Sequence, residues 1–187
     1  MAERIKACVK FSFPAVLSLV LCTDKTGTAV FCLAACFLHE LGHITVLLGE
    51  ENIPRKITFY GGGIRLDIGG RYSIPALFAG CFANFLLFCF FCFGKNEEIR
   101  LFAVVNLLTG MLNMLPVRPL DGGMLLEIFL LRHFSPEKIG KVMKAVEAVV
   151  GAAFIPTVIF MFGSGMLGIS SLVFMVYLLG LEIIEME

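Results

Sequence analysis

The stretch TAVFCLAACFLHELGHITVLL, residues 28–48, decides how the rest of the chain is read. It is apolar and long enough to cross a hydrocarbon core of about 30 Å as a helix rising about 1.5 Å per residue. Yet it carries His39, Glu40 and His43 in its second half. Positions four apart share a helix face, so the two imidazoles converge. H-E-x-x-H on a helix is the pattern in which two histidines bind zinc and the glutamate takes a proton from water. An ionisable group near a bilayer centre costs about 2.5–3.5 kcal/mol on insertion scales. Three within five residues therefore require a metal, a charged partner or a water-filled cavity. Only three histidines exist in the chain, and two are here.

The whole composition agrees with a membrane setting. Of 187 residues 58% are apolar and 16% charged, against about 45–50% and about 25% in a soluble domain. Disorder and nucleic-acid binding do not fit such a chain, and 15 basic against 15 acidic residues give no field for a polyanion. Five further apolar stretches predict spans: Ala7 to Cys22, Ser73 to Phe93, Ile99 to Leu115, a run to Phe162 with a lysine-rich lead-in, and Met166 to Ile184. The lead-in starts with Ser135 as cap and Pro136 at the first helical position, and Pro156 predicts a kink. The first run lacks a small-residue cleavage site and reads as an anchor. The expected fold is an all-α polytopic membrane protein, one membrane-embedded domain over 1–187 with six transmembrane helices.

Threading six spans sends twelve basic residues to one side, among them Lys6, Arg55, Arg118 and Lys138, and only Lys25, Lys95 and Arg100 to the other. The positive-inside bias then puts both termini in the cytoplasm of a multi-pass cell-membrane protein. The seven cysteines, five of them inside apolar runs, read as packed thiols and not as a disulfide framework.

Between the second and third spans, Lys56 to Tyr60 and Ile64 to Ile68 are short alternating runs joined by Gly61, Gly62 and Gly63, the signature of a β-hairpin. A catalytic zinc site takes three protein ligands and a water, so the histidine pair needs a third. Asp121 is the choice, 78 residues after His43, where the fourth span returns to the side that the histidines face. Pro116 and Pro119 end that helix, and Gly122 and Gly123 let the backbone turn the carboxylate inward. Two alternatives stay open: Asp121 caps the run Met124 to Arg132, or Cys36 supplies the third ligand from the stripe Cys32, Cys36, His39, His43. A straight helix spreads that stripe over about 16 Å, which limits how many members reach one ion. His133 reads as a surface residue.

The combination resembles the site-2 intramembrane metalloproteases, most closely the minimal sporulation-type branch. It rests on HELGH at 39–43, GGG at 61–63, Gly80-x-x-x-Asn84 and NMLPVRPLDGG at 113–123, and covers the second to fourth spans. The resemblance implies Zn2+ on His39, His43 and Asp121, with Glu40 catalytic. It also implies that Asn84 and Asn113 orient substrate or stabilise the developing oxyanion, interhelical hydrogen bonding being the other reading of each. The chain departs from the family in having Gly80-Cys81 where Gly-Pro is common, and the single domain over 1–187 is expected to have no appended regulatory domain.

The expected function is hydrolysis of a peptide bond in or near a transmembrane segment of a membrane-protein substrate, within the lipid bilayer. The substrate must be locally extended, since a helix hides its carbonyls, and an edge of the 56–68 hairpin offers to hold it as an added strand, with Gly61 to Gly63 allowing close approach. The rival function is a metal-binding transporter or sensor without proteolysis. Substrate identity and oligomeric state are not legible in the sequence.

Overall fold

The computed structural model describes residues 6–11, 14, 17–18, 22, 24, 27–52, 54–60, 63–67 and 73–164. In chain order these form β1 (Lys6–Val9), α1 (Thr28–Gly49), β2 (Lys56–Tyr60), β3 (Gly63–Asp67), α2 (Ile74–Phe91), α3 (Glu97–Asn113), α4 (Asp121–Leu131) and α5 (Pro136–Gly163). The fold is mostly helical with one small sheet.

Helices α1 and α2 fall on the second and third predicted spans and are the two described helices long and apolar enough to cross a bilayer. α3 occupies the fourth stretch but is 17 residues long and opens on Glu97 and Glu98. α5 starts at Pro136, as its lead-in predicts, and runs on through Pro156. Six spans are therefore an expectation that the described residues do not establish: the sixth stretch lies outside them, and the first is only sparsely covered.

Two expectations about the N-terminal half are corrected. Ala7 does not open a span, because Lys6–Val9 is a strand paired in parallel with β2, Lys6 opposite Lys56 and Val9 opposite Phe59. The hairpin is consequently two strands of a three-stranded sheet in the order β1-β2-β3. Its antiparallel half has the expected register, with Tyr60 opposite Gly63, while Gly61 and Gly62 lie outside the described residues. The physical reason is backbone satisfaction: β2 has two hydrogen-bonding edges, and the N-terminal strand fills the second. The Lys6 N–H donates to the Arg55 carbonyl (3.0 Å) and the Lys10 N–H to that of Phe59 (2.8 Å).

The sheet seats on the α1–α2 pair through Leu66, which packs with Leu47 and Ala76, flanked by Ile44, Val46, Ile57 and Ile64. Ser73 starts α2 by accepting from the Ala76 N–H (3.1 Å) and donates to Glu50 Oε1 at the end of α1 (2.7 Å), so the two helices are tied at this end. Along their length small residues set the spacing. A methyl on Gly42 would come within 3.0 Å of Ala83 Cβ, and one on Gly110 of α3 within 3.3 Å of Asn84 Cβ. Close helix approach through small residues is how helices pack where lipid removes any hydrophobic drive between them.

The apolar core also encloses polar side chains, while large apolar ones lie on the outside. His39, His43, Asn84, Asn106 and Asp121 are buried, while Val30, Phe37, Phe78, Phe82, Phe90, Leu108 and Met111 point outward. Large apolar side chains exposed in this number along α1, α2 and α3 suit hydrocarbon. The cysteines are all free thiols, as expected, but Cys32, Cys36 and Cys89 are exposed on that outer surface and not packed inside; Cys81 is the buried one.

Candidate metal centre

α1 brings His39 and His43 to one buried face, one turn apart, with ring centroids 4.7 Å apart and planes at 82°. The shared face follows from the helical repeat. What orients the rings comes from α2. His43 Nδ1 donates to the Ala76 carbonyl (2.6 Å). His39 Nδ1 lies 3.1 Å from Asn84 Oδ1. The Asn84 amide cannot be turned the other way, because its nitrogen donates to the Ala35 carbonyl (3.3 Å) and to Asn106 Oδ1 (3.4 Å). The His39 Nδ1 must therefore carry a proton too.

With both Nδ1 atoms protonated, the neutral rings present bare Nε2 lone pairs, and these face each other at 3.0 Å. Asp121 Oδ2 completes the triangle, 3.0 Å from His39 Nε2 and 3.1 Å from His43 Nε2. Three acceptors held together away from water repel one another unless a proton or a metal cation sits among them. The donor set is the two-imidazole, one-carboxylate set of catalytic zinc sites, and ligands at about 2.0–2.1 Å on a tetrahedron stand about 3.3 Å apart. The observed triangle thus needs only a slight opening to hold zinc. Among the described residues these three side chains are the one such converging group.

Gly80 is what lets the rings lie against α2. A methyl there would stand 2.7 Å from His43 Cε1 and 2.8 Å from His39 Cε1. Asp121 reaches the site because α3 ends at Asn113 and α4 begins at residue 121 itself. Asp121 does not cap α4, and the role expected of the following glycines changes. Neither Gly122 nor Gly123 adopts a left-handed φ, Gly27 being the described glycine that does. Both are buried where the first turn of α4 presses on the preceding loop: a methyl on Gly122 would lie 2.6 Å from the Leu115 carbonyl oxygen, and one on Gly123 2.7 Å from the Arg118 nitrogen. Close approach, and not a turn, requires glycine here. Arg118 of that loop is tied to α5 by its Nε–H, which donates to Glu147 Oε1 (3.1 Å).

The other expected site residues distribute as follows. Glu40 is half-buried on α1, next to His39. Asn84 is engaged on His39 in the core. Asn113 donates to the Thr109 carbonyl one turn back (3.0 Å) and is not in the converging group. Gly63 pairs with Tyr60 in the sheet. Cys36 is exposed and takes no part, and His133 is on the surface, 3.2 Å from the Phe129 carbonyl. Three contributors were not read as such from the sequence: Asn106, which holds Asn84, the Ala76 carbonyl, and Cys81. An asparagine in an apolar span is a usable signal for the first; a main-chain carbonyl leaves no sequence signal at all.

No protein-family model matches the chain, and no curated protein does. Among solved structures it is similar to the site-2 protease from Methanocaldococcus jannaschii, with 21% identity, 97% of this chain and 91% of that chain covered, and a TM-score of 0.63. The likeness is one of fold.

Proposed function

We propose that this chain is an intramembrane zinc metalloendopeptidase that hydrolyses a peptide bond in or beside a transmembrane segment of a membrane-protein substrate. The observation that carries the reading is the triangle of His39 Nε2, His43 Nε2 and Asp121 Oδ2, all within 3.1 Å of one another and backed by fixed ring tautomers. The fold shared with a site-2 protease supports it. Assignment to the sporulation-type branch rests on the motif residues alone.

Zinc, when held by these three side chains, supplies Lewis acidity toward water and toward a scissile carbonyl. The remaining work falls to the chain. Glu40 accepts a proton from the attacking water and returns it to the leaving amine nitrogen, so the carboxylate ends as it began. Asn84 and the Ala76 carbonyl keep both Nε2 atoms turned to the centre throughout. Asn113 and Gly61 to Gly63 are proposed substrate contacts. The substrate pairs as an extended strand; with β2 in the middle of the sheet, the outer strands β1 and β3 are where such a strand adds.

The sheet also supports the orientation. Residues 6–9 and 56–67 share one sheet and hence one side of the helices, in agreement with a cytoplasmic assignment for the basic residues around both.

The test is Glu40→Gln in the full chain reconstituted in vesicles, with zinc content and cleavage of co-reconstituted single-span membrane proteins measured together. Zinc is retained, and cleavage falls by about 100- to 10,000-fold, the usual worth of a general acid–base group. Zinc flux across the vesicle wall without any proteolysis overturns the reading in favour of a transporter.

A further inference from the structure

The geometry points to Cys81 as a positioning residue for the metal centre, its thiol holding the Asp121 carboxylate in place as a ligand; this rests on the zinc reading above. Cys81 lies on α2 one residue beyond Gly80 and is 1% exposed. Its Sγ donates to Asp121 Oδ2 at 3.6 Å, the same oxygen that meets both imidazoles. The sulfur is not in the converging group, so it acts on the ligand and not as one.

Asp121 is in need of such a contact. It arrives from a different element than the histidines and sits at the first position of α4, after Leu120 as N-cap. Each histidine is held by a partner on α2; Cys81 gives Asp121 its partner on the same helix. α2 thereby carries an orienting group for every proposed ligand: Ala76, Cys81 and Asn84. Apart from the two imidazoles, the thiol is the one side chain among the described residues that meets the Asp121 carboxylate. The cavity of about 330 Å3 that Cys81 helps to line is otherwise apolar, bounded by Val46, Phe78, Phe82 and Phe85. Without the thiol, Oδ2 keeps its imidazole neighbours but loses the α2 contact that fixes its direction, and loss of an outer partner of a metal ligand commonly lowers metal affinity 10- to 100-fold. A thiol is a weak donor, which sets the expectation at the lower end.

The experiment measures zinc affinity by competition with a chromophoric chelator for the full chain in detergent micelles, comparing wild type, Cys81→Ala and Cys81→Ser, with helix content checked by circular dichroism. Cys81→Ala weakens zinc binding about tenfold, and Cys81→Ser, which restores a donor of nearly the same size, recovers to within about threefold of wild type. Equal affinity of Cys81→Ala and wild type overturns the role of Cys81 and leaves the zinc site standing. A serine variant as weak as the alanine one also overturns it, since packing and not donation is then responsible. Cobalt-loaded wild type gives no sulfur-to-cobalt charge-transfer absorption; such a band, lost in Cys81→Ser, would make the sulfur a ligand and overturn the positioning role. Wild type that binds neither metal takes down the zinc reading and this inference together.

Discussion

Asn84 and Phe82 stand two residues apart on α2, yet the asparagine is wholly buried and the phenylalanine 61% exposed. The same division separates the inside of the α1–α2–α3 group from its outside. Inside, the polar side chains form one connected chain of contacts, Asn106 to Asn84 to His39 to Asp121, with His43 and Cys81 branching from it. Among the described residues, and apart from the three atoms of the His39–His43–Asp121 triangle, no buried side-chain nitrogen or oxygen lacks a partner. Outside, apolar side chains face away with no fixed partner to satisfy. A polar interior is specific because each group fails expensively when its partner is removed. An apolar exterior in hydrocarbon is tolerant, because lipid replaces any contact that is lost.

The sharpest way to break the contrast is from within. Asp121→Ala removes the one anionic member of the proposed ligand set. The purified variant should carry no zinc after dialysis by elemental analysis, and wild-type stoichiometry would refute the triangle as the binding site. Next in size are changes that leave the ligands intact and disturb what orients them. Asn84→Leu frees the His39 ring and removes the partner of Asn106 Oδ1; Gly80→Ala drives a methyl into both rings. Each should weaken zinc by about 10- to 100-fold in chelator competition, and an unchanged affinity for both would reduce α2 to a mere packing partner.

The exterior gives the small effects. Phe37 is 53% exposed on α1, on the helix that bears the histidines. Phe37→Lys should lower membrane insertion by about 2.5–3.5 kcal/mol at most, less where the lysine snorkels, read as the inserted fraction in a translation assay. Phe37→Ala should change neither zinc affinity nor thermal stability beyond about 0.5 kcal/mol. A large loss there would mean that a protein surface, and not lipid, covers this face.

What was legible beforehand divides along the same line. Apolar run length marked α1 and α2, and the i, i+4 spacing of His39 and His43 implied a shared face, because both depend on the local helical repeat. Asp121 was reachable by reasoning from charge in an apolar context and from the prolines before it. The N-terminal strand was not: Lys6 to Val9 is too short and mixed to declare itself, and it is a strand only because β2 offers an edge. The glycines after Asp121 predict a turn, but what requires them is the loop backbone of another segment lying against them. In the sequence Cys81 reads as a packed thiol and as a departure from a motif; it is buried, but its contact with Asp121 has no local signal.

By itself the sequence determined the apolar helices, the paired imidazoles with a glutamate beside them, and the two alternating runs of the hairpin. These follow from periodicities that each segment carries without help from its neighbours. The tertiary structure decided which nitrogen of each ring faces the centre, which distant carboxylate joins them, and which residues of α2 hold all three. Those outcomes depend on how closely the helices approach and at what register. That is set by the summed fit of side chains from separate segments, and no local pattern encodes it.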